Sequence, residues 1–481
     1  MKMLSNMPWT LARRTAREAA KPLEAVELAL GDAVGLALAS GVRALASQPT
    51  CDTSAMDGFA VAGAEPWEIV GRVAAGDPVP GVRLGAGEAF GVATGAPVPG
   101  GADSVIPVEL CSVEGGALYD CHPSGSQCQH AAGQHAADQH PAGQHPAGQH
   151  PAGQHPAGQH PADQHPAGQH PADQHAAGQH PAGQHPAGQH PAGQHPAGQH
   201  PAGQHAAGRH STGQQPAARH PGKHIRRRGE DWTAGDELVP SGTLVSPAVI
   251  GLAAGAGHDT LLVHRRPRVA VIVTGDELLH AGPPHPGRVR DAIGPMLPGL
   301  LTGADLLGTT HLRDDPAALA DALTFDQADV LVTCGATSVG PADHLRRVLA
   351  ELGAEILVSG VACRPGHPQL LAVLPDGRCV VGLPGNPFAA LAAVLTLLRP
   401  LLETLGGHTV RPARTAWLGD VGAHPRDTRL VPVATAGGEA VPVGHDKPGS
   451  LWGAALADAL AVVPPGHQGG EVELLTFASA S

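Results

Sequence analysis

The sequence predicts a multidomain α/β plus β protein, with an α/β unit on a parallel-rich sheet and β-rich segments on either side. Three observations lead there. Residues 269–273 form a continuous apolar run, which suits a strand buried on both faces. Runs of the same kind recur at 329–333 and 379–383, each followed by a Gly-containing turn and a helical pattern. Elsewhere the apolar segments are short and alternating, with Gly and Pro between them, as in β-domains.

The first buried strand leaves the sheet at Gly275, Asp276 and Glu277. Open α/β sheets bind ligands outside the carboxyl ends of their strands, so two carboxylates stand where chemistry is usually done. The second strand runs into Cys334-Gly335-Ala336-Thr337-Ser338-Val339-Gly340 and a helix over 342–352. The third runs into Pro384-Gly385-Asn386-Pro387 and a long apolar helix to 405, with Asn386 as N-cap and Pro387 at the first helical position. Gly-rich turns and helix starts offer backbone N–H groups to oxyanions. One sheet edge is therefore expected to carry two anion-binding turns and one acidic turn, a site for a phosphate-bearing ligand with a metal ion. No lysine-bearing phosphate loop is present and no G-x-G-x-x-G follows a strand, so nucleotide hydrolysis and dinucleotide binding are not supported.

The chain is acidic, with a formal charge of -13 and no basic stripe beyond Arg226-Arg227-Arg228, and aromatic residues make up 2% of it. Both facts argue against a nucleic-acid partner. No apolar leader opens the chain and no stretch reads as long enough to span a bilayer, so a cytoplasmic protein without membrane contact is expected. The seven cysteines are scattered without a C-x-x-C pair, which indicates neither a disulfide framework nor a zinc ribbon.

In chain order, 9–47 reads as helical, with Ala, Leu and Val at three- and four-residue steps over 16–30. Residues 51–58 form a turn entering a strand at 59–61. Short strands follow at 69–73, 89–92 and 104–108. Between the last two, a loop dense in Gly and Pro presents Thr94 rigidly. His224 to Asp231 mixes three arginines with two carboxylates beside Gly229, either a solvated face or the closure of a charged-ligand site. A short helix is expected over 247–256. Asp314 and Asp315 most simply cap the helix at 317–323. A strand at 356–361 ends in Cys363-Arg364-Pro365-Gly366-His367-Pro368, a proline-stiffened turn suited to an oxyanion. Short β segments at 430–433 and 472–475, Lys447-Pro448-Gly449-Ser450, and a helix over 452–460 complete a final small β-domain.

Residues 122–220 are a repeat of His-Pro-Ala-Gly-Gln, with a histidine at every fifth position from His130 to His210. It holds too little apolar material for a core, and Pro and Gly favour an extended chain. Neutral imidazoles in this number suit Ni²⁺, Cu²⁺ or Zn²⁺. A tolerated tandem expansion in a surface loop is the other reading.

Seven stretches in order carry a resemblance. They are Ser54-Ala55-Met56-Asp57-Gly58-Phe59-Ala60, Thr94-Gly95-Ala96-Pro97-Val98-Pro99, Ile225-Arg226-Arg227-Arg228-Gly229-Glu230-Asp231, Thr274-Gly275-Asp276-Glu277-Leu278, Ser338-Val339-Gly340, Pro365-Gly366 and Gly382-Leu383-Pro384-Gly385-Asn386-Pro387. Together they resemble the molybdopterin molybdenumtransferase family, the MoeA and gephyrin E-domain type, over all but the His repeat. The resemblance implies a linker domain (1–47 with 235–264), a β-rich domain (48–234, with the repeat at 122–222 as an insertion), a three-layer α/β/α MogA-like molybdopterin-binding domain with a parallel-rich sheet (265–407) and a C-terminal β-barrel domain (408–481).

It further implies insertion of molybdate into adenylylated molybdopterin with release of AMP, assisted by Mg²⁺. The enzyme would be a homodimer whose site lies between the α/β domain of one subunit and the β-domain of the other, with molybdopterin adenylyltransferase as a candidate partner. On this resemblance Asp57, Glu277, Asp276 and Asp343 are catalytic, the last three also holding the metal. Gly335, Ser338, Gly340, Pro384, Gly385 and Asn386 hold phosphate or pterin, Arg364 and His367 neutralise the oxyanion, and Thr94, Asp231 and Ser450 complete the substrate contacts. The sequence departs from the family pattern at Arg364 and His367, where lysines are usual, at Ala292-Ile293 in place of Ser/Thr-Asn, and at Ala336-Thr337 in place of Gly-Val. A non-catalytic protein that binds molybdopterin, or that buffers metal through the repeat, is the alternative.

Overall fold

The computed structural model describes residues 5–121, 221–335, 337 and 344–477. The chain divides into two units, Met1–Asp120 with His220–Ser481, and Cys121–Arg219. Every described residue except Cys121 belongs to the first.

The buried apolar runs form the centre of the sheet. Arg268–Thr274, Val330–Cys334 and Cys379–Leu383 pair in parallel, with Val271 opposite Val332 and Val332 opposite Val381. Asp305–Leu312 adds a fourth parallel strand beside Arg268–Thr274. On the other side Leu370–Val373 and Glu355–Arg364 continue the sheet antiparallel. Side chains alternate between faces, as a period of two demands. Val269, Val271, Val273, Val330, Val332 and Val381 pack under the helices Trp9–Glu18, Ile293–Leu300 and the long helical segment Pro387–Leu405. Ile272, Leu331 and Val380 face Pro316–Leu323 and Leu345–Glu351. Three layers result, because a strand apolar on both faces must be covered on both.

The 19-residue segment Pro387–Leu405 is α-helical at Pro387–Ala393, π-helical at Val394–Leu398 and α-helical again at Arg399–Leu405. It is long and apolar enough to cross a membrane, contrary to the expectation that no stretch passes that test, but 83% of its apolar window is buried in the core. Trp9 Nε1 donates to Thr396 Oγ1 at 3.1 Å within that core.

The C-terminal strands Arg414–Leu418, Thr428–Ala436, Glu439–Pro442, Ala459–Val463 and Gly470–Thr476 pair in a closed circuit, a small barrel filled by Leu418, Val433, Ala461 and Val463. Parallel pairing of Cys363 with Thr428 and Arg364 with Arg429 joins the barrel to the α/β sheet, giving twelve strands in all. A six-stranded sheet forms the β-rich part, in the order Ser104–Pro107, Gly58–Ala62, Glu88–Val92, Trp67–Val73, Ala117–Asp120, Cys111–Glu114. After the repeat the chain returns beside it, where Gly222 N donates to Asp103 O and Val105 N to Lys223 O. Ala25–Ala29 pairs antiparallel with Thr260–His264 around a core of Leu38, Val42, Val245 and Val263.

Two helical expectations fail. The first helix stops at Glu18, and Ala25–Ala29 is a strand. Pro22 disfavours helical geometry in the residue before it, and Val26 and Leu28 stand on either side of the polar Glu27, at the period of two of a strand. The helix begun at Trp452 ends at Leu456, and the apolar run Ala459–Val463 is instead a buried strand of the barrel.

The start of the second central strand is tied by charge. Asp329 accepts from Arg265 Nη1 and Nη2 at 2.7 and 2.9 Å and from Arg268 N at 2.7 Å. Burial raises the Asp329 carboxyl, but these hydrogen bonds outweigh it and hold the group below the ordinary carboxylate value. A lowered folded pKa stabilises above the unfolded value and ceases to do so as pH falls through the folded one. Asp329→Asn is therefore expected to cost roughly 2–3 kcal/mol at neutral pH in urea unfolding. The gap between wild type and variant should begin to narrow below about pH 4 and go on narrowing as pH falls through the lower folded value; an equal midpoint at neutral pH would refute this.

Candidate functional site

Because the central strands are parallel and in register, their carboxyl ends open on one edge. Thr274 Oγ1 donates to Cys334 O at 3.1 Å, and Gly335 N donates to Leu383 O at 3.1 Å. The acidic turn, the Gly335 turn and the Pro384–Asn386 turn are thereby stitched side by side. Gly335 has φ +89°, and a Cβ there would stand 3.0 Å from both oxygens of Thr274. The position admits glycine on both counts.

Asp276 and Glu277 are both exposed, and among the described residues neither carboxylate has a hydrogen bond or ion pair. Their backbone is held instead. Asp276 N donates to Asp314 Oδ2 at 3.3 Å, the Arg288 guanidinium donates to Asp276 O, and Val289 N donates to Glu277 O. Asp315 alone caps the helix, through Ala317 N at 2.9 Å. Ser338, Gly340 and Asp343 lie outside the described residues.

Asn386 holds the N-cap position without a side-chain cap bond. The free N–H groups expected at this helix start are largely used. Phe388 N and Ala389 N donate to Pro448 O at 3.0 and 3.4 Å, a contact from the barrel's Lys447–Ser450 turn. That turn brings Gly449 to Asn386, as a Cβ on Gly449 would lie 3.6 Å from Asn386 Oδ1. The Ser450 hydroxyl accepts from Trp452 N at 3.3 Å.

Arg364 is 64% exposed, and its Nε donates to the buried Asp427 at 2.7 Å, so its charge is partly answered from the barrel. His367 is exposed on the same turn, with its carbonyl accepting from Val361 N and Gln369 N. In the β-rich part Asp57 and Thr94 do meet. Asp57 Oδ1 accepts from Thr94 N at 2.7 Å and Thr94 Oγ1 at 3.1 Å. Among the described residues no hydrogen bond or ion pair links this pair to Asp276 or Glu277. Asp231 pairs with Arg226, while Arg227 reaches Asp52 at 2.5 Å, so the mixed-charge stretch largely neutralises itself.

None of the three buried thiols of this sheet is a nucleophile in waiting. Burial, helped by the Asp291 charge, pushes the Cys334 thiol far up, and burial drives Cys363 to about 12 and Cys379 to about 11. A cavity of about 790 Å³ lies elsewhere, lined by Trp9, Arg13, Arg399 and His408 among others and by none of the site residues named above.

Sequence reasoning missed one grouping. Asp291 and His311 meet His280 in space. No spacing signals this, since the three residues stand on separate segments.

The three-layer unit with this edge matches a family model described as probable molybdopterin binding domain, over residues 270–404. Before it, the MoeA N-terminal region (domain I and II) matches 7–159 and 194–257, and after it the MoeA C-terminal region (domain IV) matches 418–477. With all three regions in order, the chain belongs to the MoeA family. It is 34% identical over 194 residues to a molybdopterin molybdenumtransferase of Nostoc sp., covering 39% of this chain and 44% of that one. It is 37% identical over 224 residues to molybdopterin molybdenumtransferase 2 of Mycobacterium tuberculosis, covering 44% and 54%. The matched part thus spans about half the length of these relatives. A solved molybdopterin biosynthesis MoeA protein from Pyrococcus horikosii shares the fold, with TM-score 0.66 and 23% identity over 99% of this chain and 100% of that one.

Gly335→Ala forces a side chain against Thr274 in a left-handed conformation. It is expected to lower stability by roughly 1–3 kcal/mol in chemical denaturation. An unchanged midpoint would show that the seam between the two turns yields freely.

Proposed function

We propose that this chain inserts molybdate into adenylylated molybdopterin, releasing AMP, as a Mg²⁺-dependent molybdopterin molybdenumtransferase. The observation that carries this is the pair of unpartnered carboxylates, Asp276 and Glu277, beside the Gly335 and Pro384–Asn386 turns on one sheet edge. Family membership and the names of the relatives support the same reading.

The donor chemistry fits the ion. Mg²⁺ takes hard oxygen ligands, keeps several waters and needs only one or two carboxylates besides substrate phosphate. Asp276 and Glu277 supply such oxygens, already freed from other partners, and Asp343 is proposed to join them. When bound, the ion would neutralise charge on the phosphate and molybdate oxygens. The chain's own groups do the rest. The Gly335 turn and the Pro384–Asn386 turn hold phosphate or pterin, and Arg364, oriented by Asp427, meets the oxyanion together with His367. Asp57, braced by Thr94, is proposed to act from the β-domain of a second subunit, which makes the enzyme a homodimer. Delivery of the adenylylated substrate by molybdopterin adenylyltransferase is part of the same proposal, as is a cytoplasmic setting.

The second reading, a binding or metal-buffering protein, rests on the histidine at every fifth position of the repeat. Two measurements separate the readings. Purified protein is expected to form molybdenum cofactor from adenylylated molybdopterin, molybdate and Mg²⁺, and Glu277→Ala or Asp57→Ala to abolish turnover; wild-type rates in both variants would refute the assigned roles. Deleting 123–221 should leave turnover intact. Loss of function only with the repeat, and no turnover in the full chain, would move the assignment to the second reading.

A further inference from the structure

The proposed reaction leaves one cluster on the sheet edge unused. His280 follows the short strand Leu278–Leu279, and Asp291 follows Val289–Arg290. These strands pair in parallel, Leu279 opposite Arg290, and Asp291 N donates to Leu279 O at 3.0 Å. His311 stands on Asp305–Leu312, opposite Val273 of the central strand. Backbone pairing therefore delivers the three side chains to one place, and their ligand atoms lie within 4.8 Å of one another. Among the described residues this is the group of three or more His, Cys, Asp or Glu side chains to come so close.

The carboxylate is a built element, not a surface accident. Asp291 is only 6% exposed. Its Oδ1 accepts from Ile293 N and Gly294 N, each at 3.0 Å, which leaves Oδ2 turned toward His311 Nε2 at 3.3 Å. A Cβ on Gly294 would come within 2.4 Å of Oδ2, so the glycine makes the room this oxygen occupies. The rings of His280 and His311 stand 3.9 Å apart between centroids, tilted by 56°. Arg288 and Arg290, the neighbouring cations, donate to the backbone carbonyls of Asp276 and Leu279.

A carboxylate capping a helix and bonded to one imidazole is the plain alternative. It leaves His280 without a role, and 3.3 Å is long for a charge-assisted bond, which runs about 2.7–2.9 Å. The same separation is the edge of a tetrahedron whose centre lies about 2.0 Å from each ligand. Two imidazole nitrogens and one carboxylate oxygen suit zinc and its transition-metal neighbours, whereas Mg²⁺ takes oxygen donors. We propose that His280, Asp291 and His311 form a binding site for a divalent transition metal of the zinc class, with a fourth position open. The site stands independently of the molybdate chemistry.

The test uses the full chain, so that the repeat's histidines are common to every sample. Thermal unfolding is followed against rising Zn²⁺ for wild type, His280→Ala and His311→Ala; both histidines are exposed, so each variant is expected to fold. Wild type should show a zinc-dependent stabilisation whose midpoint shifts to at least about tenfold higher Zn²⁺ in either variant. Mg²⁺ at equal concentration should leave the three proteins indistinguishable. Equal zinc responses in all three would return Asp291 and His311 to a simple cap and overturn the site, and loss in His311→Ala alone would exclude His280 and overturn the three-residue site. Zinc-edge anomalous scattering from crystals of the zinc-treated full chain should place a peak within bonding distance of all three side chains; density at the repeat alone would overturn the proposal.

Discussion

The structure depends on the burial of the central parallel strands on both faces. Val271, Val332 and Val381 must point one way, and Ile272, Leu331 and Val380 the other. A slip of one residue in any of them would turn its large side chains to the wrong layer. Register is therefore strongly determined, and the positions of the three following turns come with it. Each of the largest buried side chains is worth about 1.5–3 kcal/mol by removal from water. The site inherits its geometry from that packing, since Thr274, Gly335 and Leu383 are linked by bonds that form only in register.

The candidate carboxylates of the β-rich part and of the α/β sheet edge differ in how they are treated. Asp57 is bound through Oδ1 by the amide and hydroxyl of Thr94, which fixes how the carboxylate points. Asp276 and Glu277 have their backbones held and their oxygens left to solvent. A bound carboxylate orients, and an unbound one on a rigid backbone is available to a cation or a proton. That contrast follows from local turn chemistry rather than from any feature of overall charge.

Much of this was legible in advance, and the failures have physical causes. The three central strands were readable because their apolar runs have no polar interruption, and the Pro387 helix start because proline is preferred there. Asp305–Leu312 was not, since Gly308, two threonines and His311 interrupt it and most of its side chains are exposed. The Ala25–Ala29 strand was hidden behind residues of high helix propensity, and pairing with Thr260–His264 overrode that propensity. At Pro387 the expected free N–H groups are taken by Pro448, a partner sixty residues away that no local pattern announces. The His280, Asp291 and His311 grouping is of the same kind, assembled by strand pairing across three segments. Arg364 was read as open to an anion, but the buried Asp427 that meets it arrives from the barrel.

The junction between barrel and α/β layer has its own consequence. One continuous strand, Glu355–Arg364, carries the sheet across through Cys363 and Arg364, and the Arg364–Asp427 bond and the Pro448 contact brace the same boundary. A hinge there would have to break backbone pairs, a buried ion-pair partner and the helix-start contact together. The barrel side of the Pro384–Asn386 turn is thus a fixed wall rather than a door.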